Sequence, residues 1–275
     1  MKPTSSMIRA FDGRTVVLTG AASGIGRALA NMLSRCGATV HALDIDADGL
    51  ADLAKQCAGP GVIHCGTVDV CDIASYTLAV AEVVRISKSI DYLFNNAGVT
   101  LLGEAQNLPF DRWKWLLDIN LMGVVHGTHL IYPIMIAQGS GHIINTASIA
   151  GATGYATAAA YTTSKAAILE FSRSLRSEAK GYGVKVSVAC PGYVDSAIFA
   201  QNRIVGADRE AMVRDLPVKM MSPDEAARGF LSGVVRGEQT MVFPFSAKFL
   251  WYLSRWAPVL TDGFHKRFLR VFQQK

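Results

Sequence analysis

The stretch Thr15-Val16-Val17-Leu18-Thr19-Gly20-Ala21-Ala22-Ser23-Gly24-Ile25-Gly26 decides the fold. Three apolar residues between threonines read as a strand buried on both faces. Glycines 20, 24 and 26 follow at once, and the run over 24–36 reads as a helix. Such a strand–turn–helix passage lets the backbone approach a pyrophosphate closely, with the free N–H groups and positive dipole end of the helix facing it. The spacing is G-x-x-x-G-x-G, not the general G-x-G-x-x-G dinucleotide fingerprint, and a tight turn alone would also account for the glycines. Asp44 favours the first reading. It closes Val40-His41-Ala42-Leu43 about twenty residues on, where a carboxylate accepts from the adenosine ribose hydroxyls and repels a 2′-phosphate. No lysine or arginine stands at 45–48 or in the glycine loop, so the pattern points to NAD in preference to NADP.

Outward from this unit the alternation continues. Strand-like runs lie at Thr15–Thr19, Thr39–Leu43, Val62–Val68, Tyr92–Asn95, His142–Thr146, Val184–Ala189 and Thr240–Phe243. Helical stretches at 47–57, 73–88, 108–137, 158–180 and 223–236 separate them. Seven strands alternating with helices predict an α/β fold: one doubly wound, Rossmann-like domain whose mostly parallel sheet is covered by helices on both faces. We place this domain at 1–243 and a helical extension at 244–275. Ser222-Pro223-Asp224-Glu225 predicts a sharp helix start. The stretch 197–221 before it carries little pattern beyond a short helix at 207–215, and a loop of that length is usually functional, here around the substrate.

Composition narrows the classes. The chain has 275 residues, half of them apolar, enough for a large core. No run of about 18 uncharged apolar residues occurs, so no membrane-spanning helix is expected. Met1–Ser6 leads straight toward the first strand without the apolar region of a secretory signal. Five cysteines without a C-x-x-C predict a reduced, cytoplasmic setting. The histidines lack metal-ligand spacing, and no metal is expected.

One constellation carries chemistry. Tyr161 and Lys165 are four apart on a predicted helix and share a face, with Ser148 thirteen residues before the tyrosine. A tyrosine with its ordinary pKa of about 10 is a poor base at neutral pH. A fixed ammonium in a partly dry site would lower it and permit proton exchange with an alcohol or carbonyl oxygen.

Together these residues resemble the short-chain dehydrogenase/reductase family over roughly 13–243. The turn from Thr19 to Gly26 is similar to its T-G-x-x-x-G-x-G, with Gly20, Ser23, Gly24, Ile25 and Gly26 the cofactor contacts this implies. Asp69 and Val70 resemble the pair that holds the adenine. Asn95-Asn96-Ala97-Gly98 matches N-N-A-G, with Asn96, Ala97 and Gly98 lining the groove. Ser148, Tyr161 and Lys165 match the catalytic trio, and Asn120 the proton-relay asparagine. Pro191, Gly192, Val194 and Ser196 resemble the P-G-x-V-x-T segment at the nicotinamide, with serine in place of the usual threonine. The implied activity is hydride transfer between NAD(H) and the CH–OH or C=O group of a hydrophobic secondary alcohol or ketone of steroid, retinoid or fatty type. A nucleotide-binding sensor without turnover is the competing reading; epimerisation or dehydration fits the chain length poorly. The resemblance also implies a homodimer or homotetramer paired through the helices at 108–137 and 158–180.

The last 33 residues stand apart. From Phe243 onward six bases face one acid, whereas the preceding 242 residues balance at 21 against 21, so this segment carries the whole net charge of +5. It also holds nine of the 24 aromatics. Phe249, Tyr252, Leu253 and Trp256 form a helical stripe that Pro258 ends; a second helix from Thr261 would align Phe264, Phe268, Val271 and Phe272 opposite Lys266, Arg267 and Arg270. Such stripes pack on the domain or across a dimer, or rest peripherally on an anionic membrane. No nucleic-acid module accompanies the charges.

Overall fold

In the computed structural model, residues 2–57, 59–208, 210, 220–257, 266, 269 and 272 are described. Seven parallel strands form one sheet: β1 (Thr15–Thr19), β2 (Thr39–Asp44), β3 (Val62–Thr67), β4 (Tyr92–Asn95), β5 (Gly141–Thr146), β6 (Val184–Pro191) and β7 (Thr240–Phe243), in the order β3-β2-β1-β4-β5-β6-β7. The central β1 is buried throughout and the edge strand β3 is half exposed, which is why only the interior strands read as continuous apolar runs. Strand order reverses between β1 and β4, so the carboxyl ends of these neighbours open a crevice.

Among the described residues the helices are α1 (Ser5–Phe11), α2 (Gly24–Arg35), α3 (Ala47–Gln56), α4 (Ile73–Ser87), α5 (Phe110–Leu117), α6 (Gly123–Gln138), α7 (Ile149–Thr153), α8 (Ala159–Ala179), α9 (Pro223–Val235) and α10 (Phe245–Trp256). Alternation along β1 divides the core. Val16 and Leu18 pack with Leu29 and Leu33 of α2, Phe230 of α9, and Met7 and Phe11 of α1. Val17 faces the other layer, with Tyr76 of α4, Ile131 and Met135 of α6 and Leu175 of α8.

The seven expected strands are present, and the helices among the described residues differ from expectation at α1 and at the junction of α5 and α6. The chain does not run straight into β1: α1 precedes it, capped by the Thr4 hydroxyl, which accepts from Met7 N. Seven residues are too few for a helical period to stand out in sequence. The helix expected over 108–137 is interrupted by one π turn, Asp118–Met122, joining α5 to α6. Its span Phe110–Gln138 is long and apolar enough to cross a membrane, yet it packs on α4, α8, β4 and β5 as a sheet-covering helix. In the loop 197–221, the described part forms tight turns at Ala197–Phe199 and Gln201–Arg203 and is tied down by single bridges, Leu102 to Ile204 and Val194 to Met221. Most of the short helix expected at 207–215, and all but three residues of the second tail helix, lie outside the described residues. The start at Ser222 is a full capping box: the Ser222 hydroxyl accepts from Glu225 N, and the Glu225 carboxylate accepts from Ser222 N.

Candidate functional site

The crevice at the β1–β4 switch deepens into a cavity of about 330 Å³. At one end are Gly20, Ser23, Gly24, Ile25 and Gly26. Gly20 and Gly24 have φ of +69° and +51°, conformations that favour glycine. A Cβ on Gly26 would lie 1.8 Å from the Gly20 carbonyl oxygen, and one on Gly20 would lie 2.8 Å from Ala97 Cα. The helix can therefore start this close to the strand only without side chains. Ser23 occupies the N-cap of α2 in an extended conformation, and its hydroxyl makes no cap hydrogen bond and lines the cavity. Free N–H groups, a hydroxyl and a dipole end in one concave turn fit the pyrophosphate of a dinucleotide.

Asp44 lines the same end; its carboxylate accepts from Ala22 N at 2.8 Å and Asp46 N at 3.0 Å, which fixes its orientation. Asp69 and Val70 lie on the cavity wall, the Asp69 carboxylate accepting from Cys71 N. Asn96, Ala97 and Gly98 continue the floor. The Asn96 amide donates to the carbonyls of Thr19 and Gly20, while the Thr19 hydroxyl accepts from Asn96 N and Ala97 N. These bonds clamp the ends of β1 and β4 together. Asn95 points into the core instead, donating to Asn145 and Thr128. Pro191, Gly192, Val194 and Ser196 form the opposite wall.

Ser148, Tyr161 and Lys165 meet in the middle of the cavity. Ser148 caps α7, and one turn of α8 stacks Lys165 on Tyr161, with Nζ 5.7 Å from the ring centroid. Lys165 Nζ donates to the Thr146 carbonyl at 2.9 Å. Burial lowers the Lys165 pKa to about 8. Burial also pushes the Tyr161 phenol up to about 12, while the facing Ser148 hydroxyl pulls the other way. The ammonium sits over the ring, and burial acts against the charged form of both groups, so in the protein by itself the phenol is neutral beside the lysine.

Asn120 alone among the candidate catalytic and cofactor-binding residues does not line the cavity. It is fully buried on the π turn, where Oδ1 accepts from Val99 N and Nδ2 donates to the Val99 carbonyl and Ser164 Oγ. A Cβ on Gly98 would lie 3.2 Å from Asn120 Oδ1 and 3.3 Å from Lys165 Nζ, so Gly98 keeps open the narrow space between them.

The far end is apolar and was largely invisible in sequence. Leu102, Tyr155, Ala158, Tyr193 and Phe199 line it, with Arg203 at its edge. The Tyr155 and Tyr193 rings meet edge-on at 6.0 Å. Buried Phe272, from the last residues of the chain, packs with Leu102, Ala158 and Ile204, against Tyr155, Tyr161 and Phe199. No local motif marks these residues, because they meet only through long-range packing. Thr157, just before α8, holds φ at +65°, a strained value for a β-branched residue, and its carbonyl accepts from Gly103 N.

A family model described as short chain dehydrogenase matches residues 14–204. The Mycobacterium tuberculosis oxidoreductase SadH is 32% identical over 252 residues, covering 89% of this chain and 91% of that protein. The 3-oxoacyl-[acyl-carrier-protein] reductase FabG of Thermotoga maritima is 31% identical over 223 residues, covering 80% of this chain and 90% of its own. Among solved structures, an NAD+-bound xylitol dehydrogenase superimposes with a TM-score of 0.76 at 28% identity, covering 84% of this chain and 96% of that one. A cavity that joins a glycine-cradled helix start to a Ser–Tyr–Lys cluster agrees with these likenesses: the chain belongs to the short-chain dehydrogenase family and is an oxidoreductase of the dehydrogenase/reductase type.

Proposed function

We propose that the protein moves a hydride between NAD(H) and the CH–OH or C=O group of a hydrophobic secondary alcohol or ketone, of steroid, retinoid or fatty type. The observation that carries this reading is the continuity of the cavity, from the glycine turn through Ser148, Tyr161 and Lys165 to an apolar end walled by Leu102, Ala158 and Phe199. Bound there, a nicotinamide dinucleotide supplies the hydride donor or acceptor. The rest falls to the chain. Gly20, Ser23, Gly24, Ile25 and Gly26 hold the pyrophosphate, Asp44 the adenosine ribose, and Asp69 and Val70 the adenine. Asn96, Ala97, Gly98, Pro191, Gly192, Val194 and Ser196 bound the groove. Asp44 supports NAD over NADP, because its carboxylate would oppose a 2′-phosphate.

Ser148 orients the substrate oxygen and Tyr161 exchanges the proton with it. Lys165 sets the charge beneath the phenol, and Asn120 steadies the backbone at Val99 beside the route by which protons leave Lys165. With the phenol protonated at neutral pH, the protein is poised as a proton donor to a carbonyl. Alcohol oxidation needs the phenolate, so its rate rises with pH, whereas ketone reduction falls once pH passes the phenol pKa in the complex. A dinucleotide-binding sensor without turnover would hold the cofactor in the same cavity. One experiment separates the two readings. A panel of steroids, retinoids, long-chain alcohols and sugars is assayed with NADH and NADPH, using the wild type and Tyr161→Phe. The variant is expected to bind NADH within about twofold of wild type and to lose about 10³-fold or more in turnover. No turnover of any panel member by the wild type would favour the sensor.

Assembly belongs to the same reading. The outer face of 110–138 leaves Phe110 and Met122 exposed, which supports pairing of α5, α6 and α8 with a second copy in a homodimer or homotetramer. The domain at 1–243 with its extension at 244–275, in the cytoplasm and in peripheral contact with membrane, completes it.

A further inference from the structure

Helix α10 is fixed to the domain by its back. Ala247 is buried, a Cβ on Gly192 would lie 3.3 Å from Ala247 Cβ, and the helix runs against α7. Its front is a different surface. Phe245, Phe249, Tyr252 and Trp256 recur at steps of four, three and four, which at about 100° per residue confines them to an arc of about 60°. All four are exposed, at 84%, 61%, 49% and 83%. Leu253, which the sequence placed on the same stripe, lies at its edge and is half-buried. Lys248 and Arg255, both exposed, flank the arc on one side, and Phe245–Trp256 contains no acidic residue.

We propose that this face docks on an anionic lipid bilayer, α10 lying in the interface plane with its aromatic rings among the acyl-chain boundary and Lys248 and Arg255 at the headgroups. Aromatic side chains with basic flanks match that boundary in both polarity and charge. A second copy fits less well: pairing through the same face brings the lysines and arginines of two helices together with no acid on either helix to compensate. Because α10 abuts Gly192 and α7, whose Ile149 and Ala150 also line the cavity, docking sets the cavity beside the bilayer. A lipophilic substrate then enters without crossing water; that consequence rests on the hydrophobic-substrate reading, whereas the docking itself does not.

The test is co-sedimentation of the full chain with phosphatidylcholine vesicles, with and without phosphatidylglycerol, alongside sedimentation equilibrium without lipid. Wild type is expected to partition onto the phosphatidylglycerol vesicles and to be released by salt. Phe249→Ser with Trp256→Ser, and separately Lys248→Glu with Arg255→Glu, should each weaken partition about tenfold or more while dinucleotide binding stays unchanged. No partition of wild type, or equal partition of the variants, overturns the proposal. So does loss of an oligomer in the aromatic variant without any vesicle binding by wild type, which would assign the face to a second copy. Vesicle binding by a protein inactive on every lipophilic alcohol would leave the surface standing and remove the substrate reading.

Discussion

The two ends of the cavity are built on different principles. The glycine end is backbone: Gly20, Gly24 and Gly26 admit close approach, and Asn96 and Thr19 tie two strands together through main-chain groups. The apolar end is side chain: Leu102, Ala158, Ile204 and Phe272 come from four distant segments and meet only after folding. The first end tolerates almost no change in shape and says little about substrate. The second can vary and sets what is bound.

Substitution breaks the two ends differently, and the largest effect belongs to the glycine end. Gly26→Val places a Cβ 1.8 Å from the Gly20 carbonyl oxygen; we expect more than about 4 kcal/mol of destabilisation and no dinucleotide binding by calorimetry. Lys165→Met comes next and separates stability from activity. The fall in the Lys165 pKa from 10.5 to about 8 corresponds to about 3 kcal/mol against keeping the ammonium in the folded protein at neutral pH. Because the folded pKa lies below the unfolded one, the unfolded chain holds more protons between these values, and this group makes stability rise with pH from about 8 to 10.5. Lys165→Met should gain about 1–3 kcal/mol at pH 7 in denaturant titration, lose that rise, and collapse in turnover. The smallest effect falls at the other end. Phe272→Ala should leave NADH affinity within about twofold and shift the kcat/KM ratio of bulky to small substrates by about tenfold, where a Gly26 variant moves both together.

Legibility in the sequence follows the same division. Glycines 20, 24 and 26, Asp44 and the Tyr161–Lys165 pair sit at fixed offsets because one turn of backbone or one turn of helix sets their spacing. The structure gathers them in one cavity. Asn120 was found by its place in the chain, but its burial on a π turn was not, since an extra residue in a helical turn leaves no periodic trace. Phe272 stood out only as one ring of a helical stripe and Phe199 only as part of the loop at 197–221; that they meet Tyr155 at the cavity had no signal, as nothing local constrains that spacing. The tail stripe was read correctly as helical and amphipathic, yet its exposure depends on which face Ala247 pins to the domain, a tertiary fact. The four-residue spacing of Tyr161 and Lys165 specifies their proximity and not how dry the pair becomes, and burial is what holds the phenol up in the protein alone.

That last point carries the central claim, that Tyr161 exchanges a proton under the control of charge held in this cavity. The direct measurement is a pH titration of phenolate absorbance, wild type minus Tyr161→Phe, with and without NAD+. In the free protein Tyr161 should titrate near 12; with NAD+ bound, the added positive charge should bring the midpoint down by about two units or more. A midpoint that does not move when NAD+ binds would contradict the account.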